Sequence, residues 1–208
     1  MKNLDTTLYF VTDSTAVPPE RFLDSVEAAC KGGVSLVQLR EKKSSTREYL
    51  ELAENVHGIT KRYGIPLIID DRVDVALAID AEGVHVGQSD MPVSIARKLM
   101  GPNKIVGATT KTVPQALEAY RAGADYLGVG AIYPTTTKVV TILTSVDTLK
   151  EIVKAVPINV NAIGGLNKDN IQVLQGSGIS GICAVSAIQK AADPEVAAKE
   201  LKAAFLAL

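Results

Sequence analysis

Gln38, Arg40 and Lys42 stand at alternate positions in Gln38-Leu39-Arg40-Glu41-Lys42, where an apolar run ends. A strand alternates its faces, so these three share one side while Leu39 and Glu41 take the other. Two cations and an amide donor at a strand tip suit a diphosphate, because arginine offers a rigid fork of donors and lysine a mobile point charge. The same residues also suit a solvated strand end with Arg40 and Lys42 paired to Glu41 or Glu48. Clusters farther along the chain bear on the choice.

Asp70-Asp71-Arg72-Val73-Asp74 and Gly87-Gln88-Ser89-Asp90-Met91-Pro92 each follow an apolar run. Asp71 and Asp90 could share one Mg²⁺, a hard cation that takes one or two carboxylates, several waters and substrate phosphate oxygens. Each carboxylate could instead cap the helix that follows it, near Val73 and near Pro92. Gly107-Ala108-Thr109-Thr110-Lys111-Thr112 and Gly130-Ala131-Ile132-Tyr133-Pro134-Thr135-Thr136-Thr137-Lys138 place hydroxyls beside a lysine, a second anion site. Gly164-Gly165 and Val185-Ser186 suit a phosphate held close to the backbone, or in the glycines' case a tight turn without a ligand. His85, facing opposite to Val84 and Val86, suits a hydrogen-bonded interior position, and His57 a solvated helix position. No serine or cysteine nucleophile with its base is evident, and Gly128-Val129-Gly130 lacks the third glycine of a dinucleotide fingerprint.

The elements that must position these clusters alternate regularly. Strands are expected at Leu8 to Thr12, Leu36 to Arg40, Leu67 to Ile69, Gly83 to Val86, Ile105 to Gly107, Tyr126 to Val129, Ile158 to Ala162 and Gly181 to Ala184. Helices are expected near Glu20 to Lys31, Thr46 to Tyr63, Val73 to Ile79, Pro92 to Met100, Val113 to Ala122, Ser145 to Ala155, Lys168 to Gln175 and Pro194 to Leu206. A weak repeat supports this: Asp80 to Gly87, Ala122 to Gly130 and Gly176 to Val185 each run from a small-residue helix stop into a strand. Eight such units in 208 residues average about 26 each, enough for a single-domain α/β fold, a (β/α)₈ TIM barrel. Every polar cluster then falls at one mouth, where the chemistry of such barrels gathers.

Composition narrows the partners. A net charge of −1, no basic block and 4% aromatic residues argue against nucleic acid and for small molecules. No uncharged apolar run is long enough for a membrane span, and no basic-then-apolar leader opens the chain, so a cytoplasmic protein is expected. Cys30 and Cys183 lack the spacing of a zinc site and are expected to be buried free thiols. A homo-oligomer is compatible with the chain but not specified by it.

Taken in order, the clusters resemble the thiamine phosphate synthase family, and the likeness runs from Leu8-Tyr9-Phe10-Val11-Thr12-Asp13 to Val185-Ser186-Ala187-Ile188. The resemblance implies a TIM-barrel transferase that joins a pyrimidine methyl diphosphate to a thiazole phosphate, or its carboxylated tautomer, giving thiamine phosphate and pyrophosphate with Mg²⁺ as cofactor. It implies that Gln38, Arg40 and Lys42, in one segment with Leu39 and Glu41, hold the diphosphate substrate together with Lys138. Asp71 and Asp90 match the Mg²⁺ ligands. Thr109 stands where the family has a serine contacting the pyrimidine substrate. Thr135, Thr136 and Thr137 fall at the thiazole phosphate, whose cradle Gly165, Val185 and Ser186 complete. Arg40, Lys42 and Lys138 are then the catalytic charges.

Two positions depart from the family pattern. Asp70 stands where asparagine is usual and becomes a candidate substrate-side or metal-side residue. Lys111 stands where many members have histidine, and its charge is expected to offset Asp70. Val139 to Ser145 also lacks the usual proline- and glycine-rich continuation. A related thiazole tautomerase is one alternative, but it does not need Asp71, Asp90 and the complete Gln38-Arg40-Lys42 set together; a non-catalytic thiazole-phosphate sensor is the other, disfavoured by the intact metal pair and favoured by Asp70 alone. A sugar-phosphate isomerase would need a proton-transfer pair that the chain does not offer.

Overall fold

The β-branched runs each supply one strand: β1 (Leu8–Val11), β2 (Leu36–Leu39), β3 (Leu67–Asp70), β4 (Gly83–Val86), β5 (Ile105–Thr110), β6 (Tyr126–Gly130), β7 (Asn159–Ile163) and β8 (Gly181–Ala184). The computed structural model describes residues 4–135 and 142–208. All eight strands pair in parallel and in sequence order, and β8 returns to β1 through Leu8 opposite Ile182, so the barrel is closed and has no free edge.

Strand alternation sorts the core into two layers. Outward residues such as Phe10, Val37, Leu39, Ile69 and Val84 pack under the helices. Inward residues Tyr9, Val11, Leu36, Ile68, Tyr126 and Cys183 fill the barrel itself.

The described helices are α1 (Pro19–Lys31), α2 (Thr46–Arg62), α3 (Val73–Ala78), α4 (Val93–Met100), α5 (Val113–Arg121), α6 (Val146–Ala155), α7 (Ser186–Gln189) and α8 (Pro194–Leu206). In α1 the buried residues Phe22, Val26, Ala29 and Cys30 recur at the spacing of one helical face. Ser45 and Glu48 form a capping box on α2, which accounts for Glu48 without any role at the barrel mouth. Both cysteines are buried free thiols, and burial pushes the Cys30 thiol up to about 12. Among the described residues no helix is long and apolar enough to cross a membrane.

Two expectations are corrected, and one element is new. The helix expected over Lys168 to Gln175 is a single 3₁₀ turn, Ile171–Leu174. Its approach is held by side chains instead: Asn170 Oδ1 accepts from the Asn167 amide (2.9 Å) and Asn167 Oδ1 from the Asp169 amide (2.9 Å). Such local bonds compete with the helical ladder. Next, α7 was not anticipated, because four residues carry no periodicity. Finally, His57 is buried rather than solvated, at 4% exposure. It continues the inward stripe of Tyr49, Ala53, Val56 and Thr60, and its Nε2 lies 3.1 Å from Glu82 Oε1, while Glu82 Oε2 accepts from the Leu67 amide.

Candidate active site

The C-terminal ends of the strands converge on one cavity of about 290 Å³. Its lining includes Gln38 of β2 with Arg40 and Lys42 just beyond it, Asp70 at the end of β3 with Asp71 next, and Asp90 after β4. Thr109, Thr135, Gly165, Val185 and Ser186 complete the circle. Clusters spread over most of the sequence are therefore joined in one place. Leu39 and Glu41 lie off this lining: Leu39 is buried in the sheet–helix layer, and Glu41 accepts from Ser14 Oγ (2.8 Å) and Ser44 Oγ (3.0 Å). Thr136, Thr137 and Lys138 fall outside the described residues.

Arg40 and Lys42 are not paired to Glu41 or Glu48. Lys42 Nζ lies 2.7 Å from Asp70 Oδ2 and also contacts Asp71, and Arg40 Nε lies 3.9 Å from Asp70 Oδ2. Burial alone would lower the Lys42 ammonium, but the carboxylates of Asp70 and Asp71 outweigh it and hold the group above the ordinary lysine value. Lys42 is therefore firmly charged. Burial raises the Asp70 carboxyl, and the nearby Lys42 and Arg40 charges only partly oppose that. The strand tips themselves are tied by Tyr49, whose hydroxyl spans the carbonyls of Leu39 (2.8 Å) and Asp70 (3.2 Å).

The expected pairing of Lys111 with Asp70 is replaced by a different one. Lys42 and Arg40 answer Asp70, while Lys111 Nζ donates to the carbonyls of Gly130 (2.7 Å) and Ile142 (2.9 Å). Lys111 thus braces the β6 loop against the segment that resumes at Ile142.

Neither aspartate caps a helix. The N-terminal residues of α3 and α4 are flanked by Arg72 and Pro92, with no side-chain cap. Asp71 instead sits in the left-handed region at φ 60°, where its amide donates to the His85 carbonyl (2.8 Å). A non-glycine residue held there stores strain of about 1 kcal/mol, a recurrent feature of functional sites. Asp90 Oδ2 accepts from the Gly87 amide at 2.9 Å. Burial raises the Asp90 carboxyl, and so do its hydrogen bond with Asp71 and that residue's charge. Two carboxylates brought together in this way suit a shared divalent cation. Among the described residues no group of three or more His, Cys, Asp and Glu could hold a metal, so such a cation would take its remaining ligands from water or substrate.

Opposite this acidic side the loops come close to one another. Gly164 and Gly165 have φ of 104° and 65°, and a Cβ on Gly165 would lie 2.7 Å from Tyr133 Cβ and 2.8 Å from the Pro134 carbonyl oxygen. Packing of the β7 loop on the β6 loop thus requires glycine here, and it leaves backbone exposed at the cavity wall. Ser186 opens α7 beside it.

The cavity lining also contains residues that the sequence did not assign to the site: Tyr9, His85 and Cys183. The signal for Tyr9 was present, since an inward-facing strand tyrosine needs a partner for its hydroxyl. His85 is interior and hydrogen-bonded as expected, with Nδ1 3.0 Å from Tyr126 Oη and Nε2 2.8 Å from Thr109 Oγ1. Burial, aided by the Lys42 charge, lowers its pKa to about 4. Unfolded histidine titrates near 6.5, so the neutral ring contributes stability that is fully present above pH ~6.5 and lost as pH falls toward ~4. Acidification across that window is expected to cost about 3 kcal/mol through His85. Denaturant midpoints of the wild type and His85→Gln check this: the variant should lose that part of the slope, and identical slopes would contradict it.

A family model described as thiamine monophosphate synthase matches residues 8–188. A relative named thiamine-phosphate synthase 2, from Streptococcus pneumoniae serotype 4, is 53% identical over 188 residues, covering 90% of each chain. A thiamine-phosphate synthase from Methanobrevibacter smithii is 50% identical over 207 residues, covering 100% of this chain and 99% of the relative. The solved thiamine phosphate pyrophosphorylase from Pyrococcus furiosus superposes with a TM-score of 0.88 at 39% identity, covering 98% of this chain and 97% of its own. With the family model spanning the strands that build the cavity and a relative matched end to end, the chain belongs to the thiamine monophosphate synthase family.

Proposed function

We propose that this protein condenses a pyrimidine methyl diphosphate with a thiazole phosphate, releasing pyrophosphate and forming thiamine phosphate. The observation that carries the reading is the convergence of Arg40, Lys42 and the Asp71–Asp90 pair with the Thr135, Gly165 and Ser186 loops on one cavity. A tautomerase or a sensor has no use for both halves of that arrangement.

The C–O bond to diphosphate breaks early, and the resulting resonance-stabilised pyrimidinylmethyl cation is captured by the thiazole nitrogen. No protein nucleophile is required. As diphosphate leaves, negative charge grows on its oxygens, and Arg40, Lys42 and Lys138 stabilise that charge more than they do the ground state. Asp71 and Asp90 would hold a Mg²⁺ ion, which would supply a hard positive charge to the leaving diphosphate. Gln38 and Thr109 orient the pyrimidine. Thr135, Thr136 and Thr137, with Gly165, Val185 and Ser186, hold the thiazole phosphate so that its nitrogen is within attack distance.

Asp70 competes for the cations that the diphosphate needs. Asp70→Asn is therefore expected to tighten binding of inorganic pyrophosphate by about tenfold, measured by calorimetry with Mg²⁺ present. Weaker binding would instead make Asp70 a positive contributor to the site. The metal assignment is tested by pyrophosphate release in Asp71→Ala: release should need Mg²⁺ in the wild type and fall away in the variant. Undiminished release by the variant would overturn the assignment.

A further inference from the structure

One unbroken run of hydrogen bonds crosses the barrel interior between two residues of the pyrimidine site. Gln38 Nε2 donates to Tyr9 Oη at 2.6 Å, Tyr9 Oη meets Tyr126 Oη at 2.7 Å, Tyr126 Oη meets His85 Nδ1 at 3.0 Å, and His85 Nε2 meets Thr109 Oγ1 at 2.8 Å. The three central members are buried, at 1% for Tyr9, 0% for Tyr126 and 7% for His85; Gln38, Tyr9, His85 and Thr109 all reach the cavity, and Tyr126 joins them from behind its lining. The interior is shaped around them: a Cβ on Gly107 would fall 2.2 Å from Tyr126 Cζ and 2.5 Å from His85 Nδ1.

Such a run has a direction. An amide nitrogen only donates, so Tyr9 accepts from Gln38 and must direct its single hydrogen to Tyr126. Tyr126 in turn directs its hydrogen to His85 Nδ1, which is therefore unprotonated. A neutral His85, the form its burial favours, then carries its proton on Nε2 and donates to Thr109. Thr109 keeps its own hydroxyl hydrogen for the cavity, and Gln38 keeps Oε1 as an acceptor. Reversing any one member reverses the polarity of both ends.

We propose that Tyr126, acting with Tyr9 and His85, is a positioning residue that sets Thr109 as a donor and Gln38 as an acceptor toward the pyrimidine. The site then selects a heterocycle that offers one amine donor and one ring-nitrogen acceptor, as an aminopyrimidine does. The proposal rests on the reading that Gln38 and Thr109 hold that substrate.

Two measurements test it. Long-range proton–nitrogen correlation on the ¹⁵N-labelled wild type, at about pH 7, should show His85 as the neutral Nε2–H tautomer. Tyr126→Phe keeps the ring and removes the hydroxyl. It should raise KM for the pyrimidine diphosphate ~10-fold, leave KM for the thiazole phosphate within about twofold, and move the His85 nitrogen shifts. An Nδ1–H tautomer in the wild type, or equal changes in both KM values, would overturn the relay. If Tyr126→Phe does not fold, the tautomer in the intact enzyme decides. Absence of turnover by the wild type would overturn the underlying reaction, whereas normal turnover with the Nδ1–H tautomer would overturn the relay alone.

Discussion

Arg40→Ala is expected to lower kcat by about three orders of magnitude, the upper range for removing one preorganised donor from developing charge. The fold should barely register the change. The Arg40 side chain is 20% exposed, and its Asp70 partner stands 3.9 Å away while retaining Lys42 at 2.7 Å. No buried carboxylate is left alone, so the stability cost stays near 1 kcal/mol, a shift of about 2–4 °C in Tm for a chain of this size. Steady-state kinetics and a thermal melt on the same preparation check both halves. Loss of Tm in proportion to loss of activity would make Arg40 a structural residue.

The largest stability effect is expected from Gly181→Ala, at the opposite end of the barrel from the chemistry. Gly181 opens β8 and pairs with Asn161 of β7, beside the Ile182 amide that donates to the Thr7 carbonyl at 3.2 Å. A Cβ there would lie 1.8 Å from the Thr6 carbonyl oxygen and 2.7 Å from Asn161 Nδ2. One of these neighbours is backbone at the strand that closes the barrel, so relief requires moving β1 against β8. We expect a cost of about 3 kcal/mol or more, with Tm lowered by roughly 6–12 °C. Denaturant titration decides it; a cost of less than about 1 kcal/mol would mean that the closure seam gives easily.

The fold was legible because each βα unit carries its own signal, a β-branched run followed by an amphipathic stretch. Strand ends were read short where polar residues continue the ladder. β5 was expected to stop at Gly107 but runs through Thr110, because Thr109 and Thr110 still pair with Gly128 and Val129 of β6. Type and position revealed the members of the mouth, such as Arg40, Asp71 and Asp90. Who pairs with whom was not legible: Lys42 rather than Lys111 answers Asp70, since that depends on side-chain reach across strands distant in sequence. His57 is buried because it stands one turn beyond Ala53 on the inward stripe of α2, where helix periodicity outweighs its polar type. The interior relay could not be read from the chain at all, because it draws one residue from each of five strands.

The most direct test of the central claim is the product balance of the purified protein given the pyrimidine diphosphate and the thiazole phosphate together with Mg²⁺. Thiamine phosphate and pyrophosphate are expected in equal amounts, with no pyrophosphate when either substrate is omitted. Binding of the thiazole phosphate without pyrophosphate release would contradict that claim.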